Sequence, residues 1–251
     1  MGRGSSGISG RGVGGSGMQH TADLEHSAEL QAKIDKEEAR TRGYKREQMT
    51  VYDKNGEAVI HRQGGKGSVS YTLNEARDYF YGGTITHNHP AGEERGGISG
   101  TFSVADVEGF RYGLKEMRAS GAEGTYVLRN NNWNSRTGNR SMEFWKAYSE
   151  FADKQVFGGI DAVKAAQQKA RSTKIGRQYT NGINKATSLF SSGKREAAQQ
   201  LYNHTVKTYE AGFKREIKRF IYENMNSVTS GWLKKNAPKY GFDYILTSGR
   251  K

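Results

Sequence analysis

Asp53-Lys54-Asn55-Gly56 separates two runs rich in β-formers, Met49-Thr50-Val51-Tyr52 and Ala58-Val59-Ile60-His61. Asn-Gly accepts the positive φ angles of a tight turn at little cost, so the two runs are predicted to fold back on each other as a hairpin. Downstream, Gly64-Gly65-Lys66-Gly67 reads as a loop, Ser68-Val69-Ser70-Tyr71 as a brief strand, and Leu73–Tyr81 as a helix opening near Thr72. Thr84–His87, bounded by Gly82-Gly83, is the next predicted strand. A glycine-rich loop from Gly92 to Gly100 leads to a predicted helix over Val104–Ala119, and Gly124–Leu128 closes this part as a strand. Such alternation predicts an α/β or α+β domain over residues 44–130, a mixed sheet with flanking helices.

The flanks have a different texture. Residues 1–19 are Gly/Ser-rich and predicted to be disordered, and residues 20–43 read as a polar helix with Leu24, Leu30 and Ile34 on one narrow face. Residues 131–240 carry helix-spaced apolar residues near 141–156, 160–175, 178–191 and 194–235. The last of these shows a stripe of Leu201, Val206, Tyr209, Phe213, Ile217, Phe220, Ile221 and Met225 with Lys and Arg opposite, the pattern of a core-facing or partner-facing helix. Pro238 ends the helices. Within residues 241–251, Phe242–Leu246 is predicted as a strand that returns to the first sheet, which makes the helices an insertion.

The net charge of +13 lies mainly in that insertion, since residues 141–251 hold 20 Lys/Arg against 9 Asp/Glu. A surplus of this kind suits contact with nucleic acid or another polyanion, and equally a solvated basic face. A hydrophobic fraction of only 34% agrees with part of the chain being extended and solvated. The absence of cysteine excludes disulfides, thiolate zinc sites and a cysteine nucleophile. No run approaches the ~18 apolar residues of a membrane span and no signal-peptide core follows the start, so a soluble, cytoplasmic protein is expected.

The chemistry is concentrated in Thr86-His87-Asn88-His89-Pro90-Ala91 and in Ser103-Val104-Ala105-Asp106. Two histidines at the end of a strand can turn toward one point, and Asp106 offers a third ligand. Two imidazoles and a carboxylate, with a fourth position left for water, are the pattern of a catalytic rather than a structural zinc site. Each half also has a plainer reading. His-x-His is often a surface pair, and Ser-x-x-Asp is a common helix capping box. The remaining histidines (His20, His26, His61, His204) have no partner spacing and read as surface or packing residues. Trp133, Trp145 and Trp232 read as core anchors, and Gly64–Gly67 is too short and wrongly placed for a phosphate loop.

Together, Thr86-His87-Asn88-His89-Pro90-Ala91-Gly92 and Ser103-x-x-Asp106 resemble the signature of the JAB/MPN (JAMM-motif, RadC-like) metalloenzymes. The likeness covers residues 45–130. It implies a JAB/MPN-like, cytidine-deaminase-like mixed sheet holding one Zn2+ through His87, His89 and Asp106. It also implies Ser103 as oxyanion helper, an upstream Glu as proton shuttle, and a protein substrate with a peptide or isopeptide bond. Glu47 resembles the family's general base in position, and Glu57, just after the hairpin turn, competes for the role. The spacer between Pro90 and Ser103 is longer than is usual in the family. With its basic helices the chain also resembles proteins of phages and mobile elements, including domains attached to MuF-type head proteins. That likeness implies an alternative, non-catalytic role in packaging or in nucleic-acid binding.

Overall fold

The Asn-Gly hairpin opens a six-stranded mixed sheet in the computed structural model, which describes residues 26–92, 96–155 and 159–248. Strand β1 (Gln48–Tyr52) pairs antiparallel with β2 (Ala58–Gln63), and Gly56 takes φ 82° in the turn between them. Asp53 organises that turn, its Oδ1 accepting from the backbone N–H groups of Asn55 (2.9 Å) and Glu57 (3.0 Å). Strands β3 (Thr84–Asn88), β4 (Glu116–Gly121), β5 (Gly124–Asn130) and β6 (Phe242–Ser248) complete the order β2-β1-β3-β4-β5-β6. Strands β3 and β4 run parallel, and the other neighbouring pairs among the described residues are antiparallel.

Period-2 alternation gives the sheet two different buried faces. Met49, Val51, Ile85, Met117, Ala119 and Leu128 point to an apolar core. Helix α2 (Leu73–Tyr79), helix α3 (Val104–Glu108) and a 3₁₀ turn at Gly109–Tyr112 close over it with Ala76, Val107 and Phe110. The opposite face carries Thr50, Thr86, Glu116, Arg118 and Thr125 under helix α1 (Ala28–Thr41). Arg118 bridges Glu38 of α1 (Nε to Oε1, 2.6 Å) and Glu116 (Nη1 to Oε1, 2.9 Å). Arg129 and His26 complete the shell of Glu116 at 2.6 and 2.9 Å. The buried charges are therefore matched and hydrogen-bonded, the condition under which burial is tolerated.

Two predicted elements need correction. The helix predicted over Val104–Ala119 stops at the 3₁₀ turn, where Gly113 takes φ 83°, and the chain re-enters the sheet as β4. Glu116-Met117-Arg118-Ala119-Ser120 alternates polar and apolar residues, a strand pattern that good helix formers mask. Ser68–Tyr71, predicted as a strand, is irregular. It is held instead by the Ser70 carbonyl accepting from Arg62 Nη1 (2.7 Å), while Val69 and Tyr71 pack against the core.

The chain between β5 and β6 is helical: α4 (Ser141–Gln155), α5 (Gly159–Ser172), α6 (Lys174–Ser191) and α7 (Arg195–Thr205). A π segment at Val206–Glu210 joins α7 to α8 (Ala211–Asn236). Thr173 caps α6, accepting from Gly176 N–H, so α6 begins before the predicted residue 178. Phe144, Phe151, Trp232 and Phe242 stack in one aromatic cluster that fastens α4 and α8 to the sheet, with Phe144 and Phe242 centroids 4.3 Å apart. Leu24 and the 1–19 segment lie outside the described residues. No helix among the described residues is long and apolar enough to cross a membrane.

Glu116 supplies a pH test. Burial would raise its carboxyl, but His26, Arg118 and Arg129 hold it down at about 2 against an ordinary value of 4.5. A folded-state value below the unfolded one stabilises fully above pH 4.5 and is lost as pH falls toward 2. Denaturant melts from pH 7 to pH 2 are expected to show that loss. Glu116→Gln is expected to cost about 3 kcal/mol at pH 7 by leaving Arg118 and Arg129 short of a partner, and to flatten the acid limb.

Candidate metal centre

Strand β3 ends in the His-Asn-His segment, and its side chains alternate across the sheet. His87 and His89 fall on the core side, while Asn88 points the other way and is fully buried. Asn88 Oδ1 accepts from Gln48 N–H (2.6 Å), and its Nδ2 donates to the carbonyls of Arg46 (3.3 Å) and Tyr44 (3.5 Å). One side chain therefore ties residues 44–48, with Glu47, to the end of β3. The sequence motif contains Asn88, but its positioning role emerges only from this geometry.

The two imidazoles meet at 2.8 Å between their Nε2 atoms. Asp106 Oδ1 lies 3.2 Å from His87 Nε2, and Oδ2 lies 3.7 Å from His89 Nε2. One ligand atom from each of His87, His89 and Asp106 falls within 4.8 Å of the others. His89 and Asp106 are oriented from behind. His89 Nδ1 donates to the Gly100 carbonyl (2.7 Å), an oxygen that can only accept, which leaves the Nε2 lone pair facing the cluster. Asp106 Oδ2 accepts from both the N–H (2.6 Å) and the Oγ–H (2.8 Å) of Ser103, while Asp106 N–H donates back to Ser103 Oγ (3.2 Å). The capping box and the ligand triad are thus one structure. The N-terminal turn of α3 fixes the carboxylate whose other oxygen faces His87.

Charge is concentrated here. Burial would lower the His87 imidazole, but Asp106, and then Glu47, raise it above its ordinary value. Burial opposes ionisation of Asp106 in turn, and the adjoining imidazoles outweigh it, holding the carboxyl far below the usual range. Two nitrogen donors and an anionic oxygen converging on one point, with the outer bonds of His89 and Asp106 made, suit a single divalent cation.

The cluster opens into a cleft of about 300 Å³ lined by Glu47, His89, Ser103 and Asp106 on the sheet side and by Tyr222, Met225 and Asn226 of α8 on the other. Glu47 is buried in this cleft, whereas Glu57 is exposed in the hairpin turn and faces Lys33 at 3.6 Å. Geometry thus places Glu47 with the triad and Glu57 elsewhere. Ser103 is at the cleft, its hydroxyl engaged with Asp106. A second cavity, of about 620 Å³, adjoins the first and is lined by Arg42, Lys45, Lys66 and Pro90. The chain passes directly between the two, from Lys45 to Glu47, from Lys66 to Gly67 and from His89 to Pro90. His26 proves to be a buried partner of Glu116, and Trp145 and Trp232 pack against the core as predicted.

Comparison of the chain with protein-family models, curated proteins and solved structures finds no match.

Calorimetric titration with a divalent transition metal is expected to show one site per chain in the wild type and none in His87→Ala/His89→Ala. Ser103→Ala removes the bonds that aim Asp106. It is expected to weaken metal affinity about 10- to 100-fold, while destabilising the fold by about 1 kcal/mol.

Proposed function

We propose that this chain is a zinc-dependent hydrolase of the JAB/MPN type acting on a peptide or isopeptide bond. The observation that carries this reading is the convergence of His87, His89 and Asp106 at the end of β3 with Glu47 in the same cleft. Two imidazoles and a carboxylate with an open position are a donor set that catalytic zinc takes. When bound, zinc supplies a Lewis acid and lowers the pKa of water toward about 7. His87, His89 and Asp106 would hold it, and Ser103 keeps Asp106 in place.

The chain's own work in the reaction falls to Glu47. Its carboxylate accepts the proton of the attacking water as the new C–O bond forms, and returns it to the nitrogen as the C–N bond breaks. Burial beside the imidazoles keeps that carboxylate within the cleft and away from bulk water. The cations Arg42, Lys45 and Lys66 in the adjoining cavity favour a protein substrate with acidic residues beside the scissile bond.

The test uses zinc-loaded protein on matched linear and isopeptide-linked reporter peptides. Wild type is expected to cleave one class, with acidic flanks preferred and the preference fading in salt. Glu47→Gln is expected to retain zinc and lose at least about 100-fold in turnover. Equal turnover by Glu47→Gln would remove Glu47 from the chemistry, and zinc-loaded wild type inert on both classes would overturn the hydrolase reading.

A further inference from the structure

The metal ligands come from β3 and α3, yet one wall of their cleft comes from α8, more than a hundred residues later in the chain. The connection between them is specific. Asn226 Nδ2 donates to the Ser99 carbonyl (2.6 Å), and Asn226 Oδ1 accepts from Thr101 N–H (3.2 Å). These bonds straddle Gly100, whose carbonyl receives His89 Nδ1. A side-chain amide that donates to one residue and accepts from the next but one copies the pairing of a neighbouring strand. It fixes the plane of the peptide units on both sides of Gly100, and hence the direction of the Gly100 oxygen.

The same segment is held from other directions. Ser99 Oγ accepts from Ala122 N–H (3.0 Å) next to β4. Thr101 Oγ1 lies 3.5 Å from the Tyr244 hydroxyl, which meets Ser230 of α8 at 2.8 Å. Gly96 lies so close to α8 that an added Cβ would fall 2.3 Å from the Arg219 backbone nitrogen. Helix α8 is itself anchored by Leu233 in the core and by Trp232 packed against it.

We propose that Asn226 is a positioning residue of the metal centre: by clamping residues 99–101 it aims the Gly100 carbonyl, which sets the tautomer and ring orientation of His89. The proposal rests on reading His87, His89 and Asp106 as a metal site. It makes the helical insertion a component of that site.

The test compares full-length wild type, Asn226→Ala, Asn226→Asp and the exposed control Ser227→Ala. Zinc affinity is measured by chelator competition, and the His89 tautomer by imidazole ¹⁵N–¹H correlation without metal. Asn226→Ala is expected to weaken zinc on the order of 10-fold and to replace the single Nδ1–H form of His89 with a mixture. Asn226→Asp keeps the acceptor for Thr101 but sets a carboxylate against the Ser99 carbonyl, so it is expected to shift both readouts the same way. Ser227→Ala is expected to match wild type in both. A folded Asn226→Ala with wild-type affinity and tautomer overturns the proposal, and if that variant does not fold, Asn226→Asp decides by the same two readouts. A wild type that binds no zinc strikes down the metal reading instead, and the tautomer measurement then judges the clamp by itself.

Discussion

Parallel pairing of β3 with β4 obliges residues 89–115 to leave the sheet beyond one end of β3 and return to the other end before β4 can begin. The candidate metal centre is a consequence of that crossover. Where the chain leaves β3 it passes His89, residues 96–102 and the first turn of α3, so the two histidines and Asp106 arrive at one place by connectivity. Crevices beyond the carboxyl ends of parallel strands are common ligand sites because backbone and helix termini meet there. Here the first turn of α3 contributes a carboxylate already braced by its capping box, so little is left to be ordered when a cation binds.

The same pairing explains why the sheet can bury charge on one face. Strand β4 lies between β3 and β5 with both faces covered, and its polar positions have no route to water. Glu116 and Arg118 are tolerated there because α1 brings Glu38 to Arg118 and β5 brings Arg129 to Glu116, while Thr125 of β5 donates to Glu38. Removing one charged member leaves its partner's charge unmatched, the costly way to break a buried pair. The polar face therefore specifies where α1 docks. The apolar face, with Phe110, Phe144 and Phe242 in contact, supplies the bulk of the burial.

Local features were readable from the chain. The Asn55-Gly56 hairpin, strand β3, the caps at Thr72 and Ser103 and the final strand all depend on neighbours within a few residues. The clustering of His87, His89 and Asp106 was readable for the same reason, since both of its halves are short motifs. Strand β4 was not. Its helix-forming residues outweighed a period-2 alternation of only five positions, and the chain length that separates it from β3 says nothing about pairing. Asn226 left no local signal at all. An asparagine on a basic helix gains meaning only once the fold sets it against Ser99 and Thr101.

The long connection between Pro90 and Ser103 bears directly on whether such a site can be firm. The intervening 12 residues are rich in glycine, which favours a loose loop. Closing a longer loop is nevertheless cheap in free energy, about 0.6 kcal/mol for each doubling of length. A single well-formed hydrogen bond contributes about 0.5–1.5 kcal/mol. The bonds of residues 99–101 to Asn226 and of Ser99 to Ala122 therefore offset the added length several times over. Length at this position carries little penalty for the candidate site, and it gives the chain the reach to contact α8. The insertion that supplies α8 is in turn anchored by the aromatic cluster on the sheet, so the residues that hold the 99–101 segment are tied to core packing on the far side of the cleft.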